Sequence, residues 1–241
     1  EPTSNTAAVA MDKGIPTRVQ FFGTSTANEM VGAGEAADLI VGNNVLAHVP
    51  ALNDFVEGLK VLLKPHGVIT IEFPHLQKLV EECQFDTIYH EHFSYFSFSA
   101  AEKVFAEHGL TLFDVEELAT HGGSLRIFAK HAEDSTHRIA ESVAALRSRE
   151  QRLGFEDLAL YRSFAERVRE TKRSFLELLI DLKRSGKSIV GYGAPAKGNT
   201  MLNYCGIRTD MIDYTVDRSP HKQNRFLPGT RIPVYAPERI G

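Results

Sequence analysis

The 241 residues, 43% of them hydrophobic, suffice for one large domain or two smaller ones and exclude a disordered chain. With 27 basic and 31 acidic side chains interspersed, for a formal net charge of -4, neither a nucleic-acid footprint nor an adsorbed membrane surface is expected. Cys83 and Cys205 are the two cysteines, far apart and without metal spacing, and no apolar run approaches the about 20 residues that span a bilayer, so the reading is a cytoplasmic protein.

The start at Glu1-Pro2, with no initiator methionine, reads as a cut. Residues 7–11 form an alanine-rich helical run stopped by Gly14-Ile15-Pro16, and residues 19–22 read as a short strand. An acidic residue between a strand and a helix is where nucleotide-binding α/β sheets hold ribose hydroxyls, and Glu1 is a candidate for that place. Residues 37–41 form a continuous apolar strand followed by Gly42-Asn43-Asn44. A helix is predicted over 53–64, ended by Pro65-His66-Gly67, and a strand over 68–73. Strand, helix and strand at this spacing predict a right-handed crossover, with ligands gathering beyond the carboxyl ends of the strands. Asn43, Asn44, His48, Glu72, Phe73 and His75 all lie near those ends.

The stretch Phe85-Asp86-Thr87-Ile88-Tyr89-His90-Glu91-His92-Phe93-Ser94-Tyr95 packs two histidines, a carboxylate and a phenol into four residues. An imidazole, which titrates near neutrality, can remove a proton from carbon beside a carbonyl if a carboxylate fixes its tautomer and a donor meets the enolate oxygen. His92, Glu91 and Tyr89 can fill these roles. An extended strand would put His90 and His92 on one face and Tyr89 and Glu91 on the other, so a tight turn is required. A polar loop with solvated histidines is the plain alternative. Metal binding through His90, Glu91 and His92 is weaker, because adjacent ligands close a tetrahedral site poorly.

Residues 99–108 read as a helix capped by Ser99, with Glu102 completing a capping box. Strands over 110–115 and 124–129, joined at His121-Gly122-Gly123, must be antiparallel. From 131 to 185 the chain is charged, with apolar residues at helical spacing, and reads as two helices and a junction. A second α/β unit follows. The strand over 187–193 runs into Ala194-Pro195-Ala196-Lys197-Gly198-Asn199-Thr200 and a helix, where small residues, free N–H groups and Lys197 could meet a phosphate. Gly193 and Asn199 belong to that loop. Asp217 ends the strand over 212–217, Arg218, His221 and Lys222 are candidate anion or sugar contacts, and 232–234 reads as a short edge segment.

Three motifs now stand in order: residues 73–97 around the central stretch, His121-Gly122-Gly123-Ser124-Leu125-Arg126, and residues 191–200. Together they closely resemble the sugar C-methyltransferase family, bacterial enzymes that methylate a carbon of a nucleotide-linked keto-deoxysugar. The resemblance implies an α/β protein: a partial class I methyltransferase (Rossmann-like) sheet with an antiparallel hairpin over 1–131, a helical junction over 132–185 belonging to the C-terminal domain, and a small nucleotide-sugar-binding α/β domain over 186–241. It implies His92 as general base with Tyr89, Glu91 and His48 sharing its site, and Glu1, Asn43 and Asn44 at S-adenosylmethionine. It also implies the Lys197 loop, with Gly193 and Asn199, at the nucleotide-sugar, where the residue types already make Arg218 and Lys222 candidate contacts. Zinc is expected only in an N-terminal segment that this chain lacks, together with the cofactor's glycine loop, so the chain reads as a monomeric fragment of such an enzyme.

Overall fold

The computed structural model describes residues 1–240, which form two compact units: Glu1–Leu76 with Phe93–Leu153, and Gln77–His92 with the chain from Gly154 on. No helix among the described residues is long and apolar enough to cross a membrane.

The first unit begins with α1 (Ser4–Asp12) and α2 (Thr24–Gly32). Residues 19–22, predicted as a strand, are irregular instead. The reason is packing: Phe22 turns edge-on to Phe55, with ring centroids 5.5 Å apart, while Phe21 is left 81% exposed, so no alternating face forms. Helix α2 escaped the sequence because Thr24, Thr26, Asn28 and Gly32 are weak helix formers. β1 (Ala37–Asn43), α3 (Leu52–Leu62) and β2 (Leu63–Pro74) make the predicted strand-helix-strand unit, β1 and β2 running parallel with Asn43 opposite Glu72. Phe55, Val56, Leu59 and Leu62 form the buried stripe of α3, and Ile69, Ile71 and Phe73 the buried face of β2.

After β2 comes α4 (Leu76–Glu81), which opens the segment assigned to the second unit. That segment leaves and re-enters the first unit at neighbouring points, since the Leu76 N–H donates to the Phe96 carbonyl at 2.9 Å. α5 (Phe98–Glu107) follows, capped by Ser97, whose Oγ accepts the Ala100 N–H at 3.1 Å. The predicted cap, Ser99, is instead inside the first turn and gives its N–H and hydroxyl to Glu150, while Glu102 takes the Arg147 guanidinium. β3 (Leu110–Leu118) and β4 (Ser124–His131) are antiparallel, and the sheet runs β1-β2-β4-β3. A register shift between Leu112 and Asp114 lets both Leu112 and Val115 face the core.

α6 (Glu141–Leu153) closes this unit. It was expected in the junction over 132–185, but Val143 and Leu146 are buried in the first unit's core and Glu150 is wholly buried there. Glu150 binds the buried His75 (Oε1 to Nε2, 2.8 Å) and the Phe98 and Ser99 N–H groups (2.7 and 2.9 Å). A carboxylate at a helix start satisfies donors that have no partner within the helix. Burial raises its affinity for a proton, but these bonds outweigh it and hold the carboxyl below its usual range.

The second unit is built on α7 (Leu158–Arg184), a 27-residue helix capped by Asp157. Its Arg167 guanidinium donates to the Val80 and Glu81 carbonyls at the end of α4. β5 (Val190–Tyr192), α8 (Ala196–Cys205), β6 (Tyr214–Val216), β7 (Arg225–Phe226) and β8 (Pro233–Tyr235) complete it, with strand order β5-β6-β8-β7. β8 is therefore interior rather than an edge: β7, two residues long and invisible to pattern, covers its outer side. Leu179, Ile207, Ile212, Ile232 and Val234 form the core.

Candidate functional site

The central stretch belongs to the second unit up to His92. Phe85, buried, sits against Tyr204 of α8 with ring centroids 5.1 Å apart. A single 3-10 turn, Phe85–Thr87, leads to the tight turn that the sequence required: the His92 N–H donates to the Tyr89 carbonyl at 3.0 Å. The two rings of Tyr89 and His92 lie 4.5 Å apart at 31°.

His92 Nδ1 is 2.9 Å from the Thr87 carbonyl. A carbonyl only accepts, so Nδ1 carries the proton and Nε2 is the basic nitrogen of the neutral ring. The orienting group at Nδ1 is thus a backbone oxygen. Nothing in a sequence marks a carbonyl for this role. Glu91 and His90 are exposed. The Tyr89 hydroxyl is held above its usual range, chiefly by burial and then by the charges of Glu91 and Asp86, so it stays protonated and able to donate. Among the described residues no group of three or more His, Cys, Asp or Glu side chains is placed to hold a metal ion.

In the same unit, β5 is followed by Gly193, whose φ of +99° is open to glycine and strained for other residues. Its N–H donates to the Val216 carbonyl at 2.7 Å, and the Ala194 N–H donates to Asp217 at 2.7 Å. Asp217 also accepts the Ser219 N–H at 2.8 Å. These backbone bonds hold its carboxyl below the usual range. Lys222 donates to the Ala194 carbonyl at 2.9 Å and lies 3.5 Å from Asp217, so it braces the loop. Lys197, in the first turn of α8, and the exposed Arg218 make no ion pair among the described residues. Asn199 lines a cavity of about 240 Å³ together with Gly193, Tyr192 and Phe175. Its Oδ1 is buried without a hydrogen-bond partner among the described residues.

The remaining candidates lie in the first unit. Glu1 precedes α1, and its carboxylate accepts the Thr3 N–H at 2.9 Å, which lowers its affinity for protons. Asn43 ends β1 and is exposed. Asn44 turns the chain with φ +53°, gives its N–H to the Glu72 carbonyl at 2.8 Å, and places Nδ2 3.1 Å from His121 Nε2. His48 is exposed on a 3-10 turn, Leu46–His48. The preceding Ala47 carbonyl takes the Phe93 N–H at 2.8 Å. Glu72, buried, accepts Thr120 Oγ1 at 2.8 Å and Arg126 at 2.9 Å. These two bonds, chiefly that from Thr120, hold its carboxyl low against burial. A carboxamide oxygen without a partner among the described residues, at the carboxyl end of a parallel strand, suits the hydroxyl or amine edge of a nucleoside.

Residues 119–241 match the family described as the C-methyltransferase C-terminal domain, and residues 7–115 match a methyltransferase domain. The C-methyltransferase NovU of Streptomyces niveus is 36% identical over 239 residues, 99% of this chain and 57% of that protein. The chain thus spans a little over half the length of this curated relative. A SAM-dependent methyltransferase of Thermotoga maritima, described as a possible histamine N-methyltransferase, gives a TM-score of 0.41 at 13% identity, over 54% of this chain and 71% of that one. A Pyrococcus horikoshii protein gives 0.39 at 11%, over 54% and 69%.

Proposed function

Because this chain belongs to the C-methyltransferase family, we propose that it serves S-adenosylmethionine-dependent methylation of the carbon beside the ketone of a nucleotide-linked deoxysugar. The observation that carries this reading is the Tyr89–His92 turn. Its imidazole is fixed through Nδ1, a protonated phenol stacks on it, and the same unit carries the Lys197 loop.

His92 Nε2 takes the proton from the substrate carbon. As charge moves to the ketone oxygen, the Tyr89 hydroxyl donates to it, which favours the enolate over the ketone. A base of this kind contributes about 10²–10⁴-fold. Glu91 shares that turn in this reading. Lys197 and Arg218 meet the diphosphate, Gly193 lets the backbone approach it, Asn199 offers a carboxamide, and Lys222 keeps the loop in shape. When bound, S-adenosylmethionine supplies an electrophilic methyl group on sulfur. Asn43, Asn44 and Glu1 would hold its nucleoside.

The test is proton exchange without transfer. The chain is incubated in deuterium oxide with a thymidine-diphosphate keto-deoxysugar, and deuterium at the carbon beside the ketone is followed by NMR. We expect exchange by the unaltered chain and a loss of about 10²-fold or more in His92→Asn, with sugar-nucleotide affinity retained. Undiminished exchange in the variant would remove His92 as base. Sugar-nucleotide binding with no exchange in either would instead mark a noncatalytic binding module.

A further inference from the structure

Asn44 and His121 are two non-glycine residues in left-handed backbone, φ +53° and +55°, 77 positions apart in the first unit's sequence. Their side chains meet at 3.1 Å, Nδ2 to Nε2. Neither conformation is the low-energy one for such a residue, and left-handed residues held by their surroundings gather at ligand sites. Asn44 stands at the carboxyl end of β1. His121 stands on the 3-10 turn Thr120–Gly122 between β3 and β4, followed by Gly122 and Gly123, both also at positive φ. The sequence offered His121 as part of a turn and of one of the three motifs, with no role of its own.

The pairing has a polarity. An amide nitrogen only donates, so His121 Nε2 must accept, which requires the neutral ring with its proton on Nδ1. Held that way, Asn44 keeps its Oδ1 off His121, an acceptor without a partner among the described residues. A protonated ring has a donor at Nε2 instead. The carboxamide would then turn over, give Oδ1 to His121 and show Nδ2 outward. The charged groups around the ring are Glu72 of β2, which bonds Thr120 beside His121, Arg126 of β4 on Glu72, and Glu116 of β3 on Arg126.

We propose that His121 is a positioning residue for the methyl donor: neutral His121 fixes Asn44 with its carboxamide oxygen outward, where it accepts an N–H of the amine of the donor's nucleoside. The inference rests on the reading that Asn44 faces that nucleoside. It makes donor affinity depend on the protonation of a residue that itself touches no ligand.

Calorimetric titration of the full chain with S-adenosylhomocysteine, at about pH 7.5 and about pH 5.5, tests it, with circular dichroism melts to verify that each variant is folded. The unaltered chain should bind about three- to tenfold more weakly at the lower pH, the worth of one hydrogen bond. His121→Gln keeps an acceptor near the position of Nε2 but does not titrate. It should bind like the unaltered chain at the higher pH and change less than about twofold on acidification. His121→Phe and, independently, Asn44→Ala should bind weakly and flatly at both. A pH dependence that persists undiminished in His121→Gln, or full affinity in His121→Phe, overturns the proposal, as does flat binding by the unaltered chain while the cofactor reading stands. Absence of S-adenosylhomocysteine binding at either pH overturns both.

Discussion

The two units divide the chemistry differently from the way they divide the sequence. The first has the deeper core and a 12-residue central strand flanked by a parallel β1 and an antiparallel β4, and it carries Asn43, Asn44, Glu1 and His48. The second has strands of two or three residues leaning on a 27-residue helix, yet it carries both the Tyr89–His92 turn and the Lys197 loop. Residues 77–92 lie in sequence amid the first unit but pack with α8 through Phe85 and Tyr204. In the proposed function the base therefore travels with the loop that holds the sugar, and the donor's nucleoside is held by the other unit. A base must keep sub-ångström register with the carbon it deprotonates, and sharing one body with the substrate's anchor secures that.

Several changes would break or sharpen this division. The largest effect is expected from Tyr89→Phe, which removes the enolate's donor: deuterium exchange into the sugar should fall about 10²–10³-fold. S-adenosylhomocysteine affinity, assigned to the first unit, should stay constant by calorimetry. A parallel loss of that affinity would mean that the two functions are not separable.

Next comes Glu150→Ala in the first unit, which strands the buried His75 and the N–H groups of Phe98 and Ser99. It should cost about 3 kcal/mol, the worth of a buried charged hydrogen-bond partner together with a helix cap. By native-state hydrogen exchange the loss should appear in α5 and β4. Equal loss in α8 would show that the units do not open separately.

The smallest effect concerns acid. Asp217 has a depressed folded-state pKa, so the stability it lends the Gly193–Ala194 turn is fully present above the unfolded value, near 3.9, and fades as pH falls through the folded value. Sugar-nucleotide affinity should weaken a few-fold, roughly, as the pH is lowered through the carboxylate range, and Asp217→Asn should flatten that trend. An unchanged slope in the variant would assign the trend to another carboxylate.

Much of the architecture was legible because it rests on local pattern. The alternating face of β2, the stripe of α3 and the closeness of β3 to β4 each follow from spacing within one element. What was not legible depended on partners far along the chain. Ser99 looks like a cap until Glu150, 51 residues on, claims it and leaves the cap to Ser97. β8 looks like an edge until a two-residue β7 pairs with it. Residues 19–22 look like a strand, but Phe22 turns to Phe55. At the candidate site the residue types and the tight turn that gathers them were readable and their wiring was not. His92 and Tyr89 were named by type and spacing, whereas the Thr87 carbonyl carries no side-chain signature. Likewise, the Asn44–His121 pair joins residues 77 apart.

The division of labour is tested most directly by hydrogen–deuterium exchange of the full chain with each ligand alone. A thymidine-diphosphate sugar should protect residues 85–92 and 193–200 together and leave 42–48 unchanged, while S-adenosylhomocysteine should protect 42–48 and 119–126 and leave the other two segments unchanged. Protection of 85–92 by S-adenosylhomocysteine, or protection of 193–200 by the sugar nucleotide without 85–92, would contradict a base carried on the sugar's own unit.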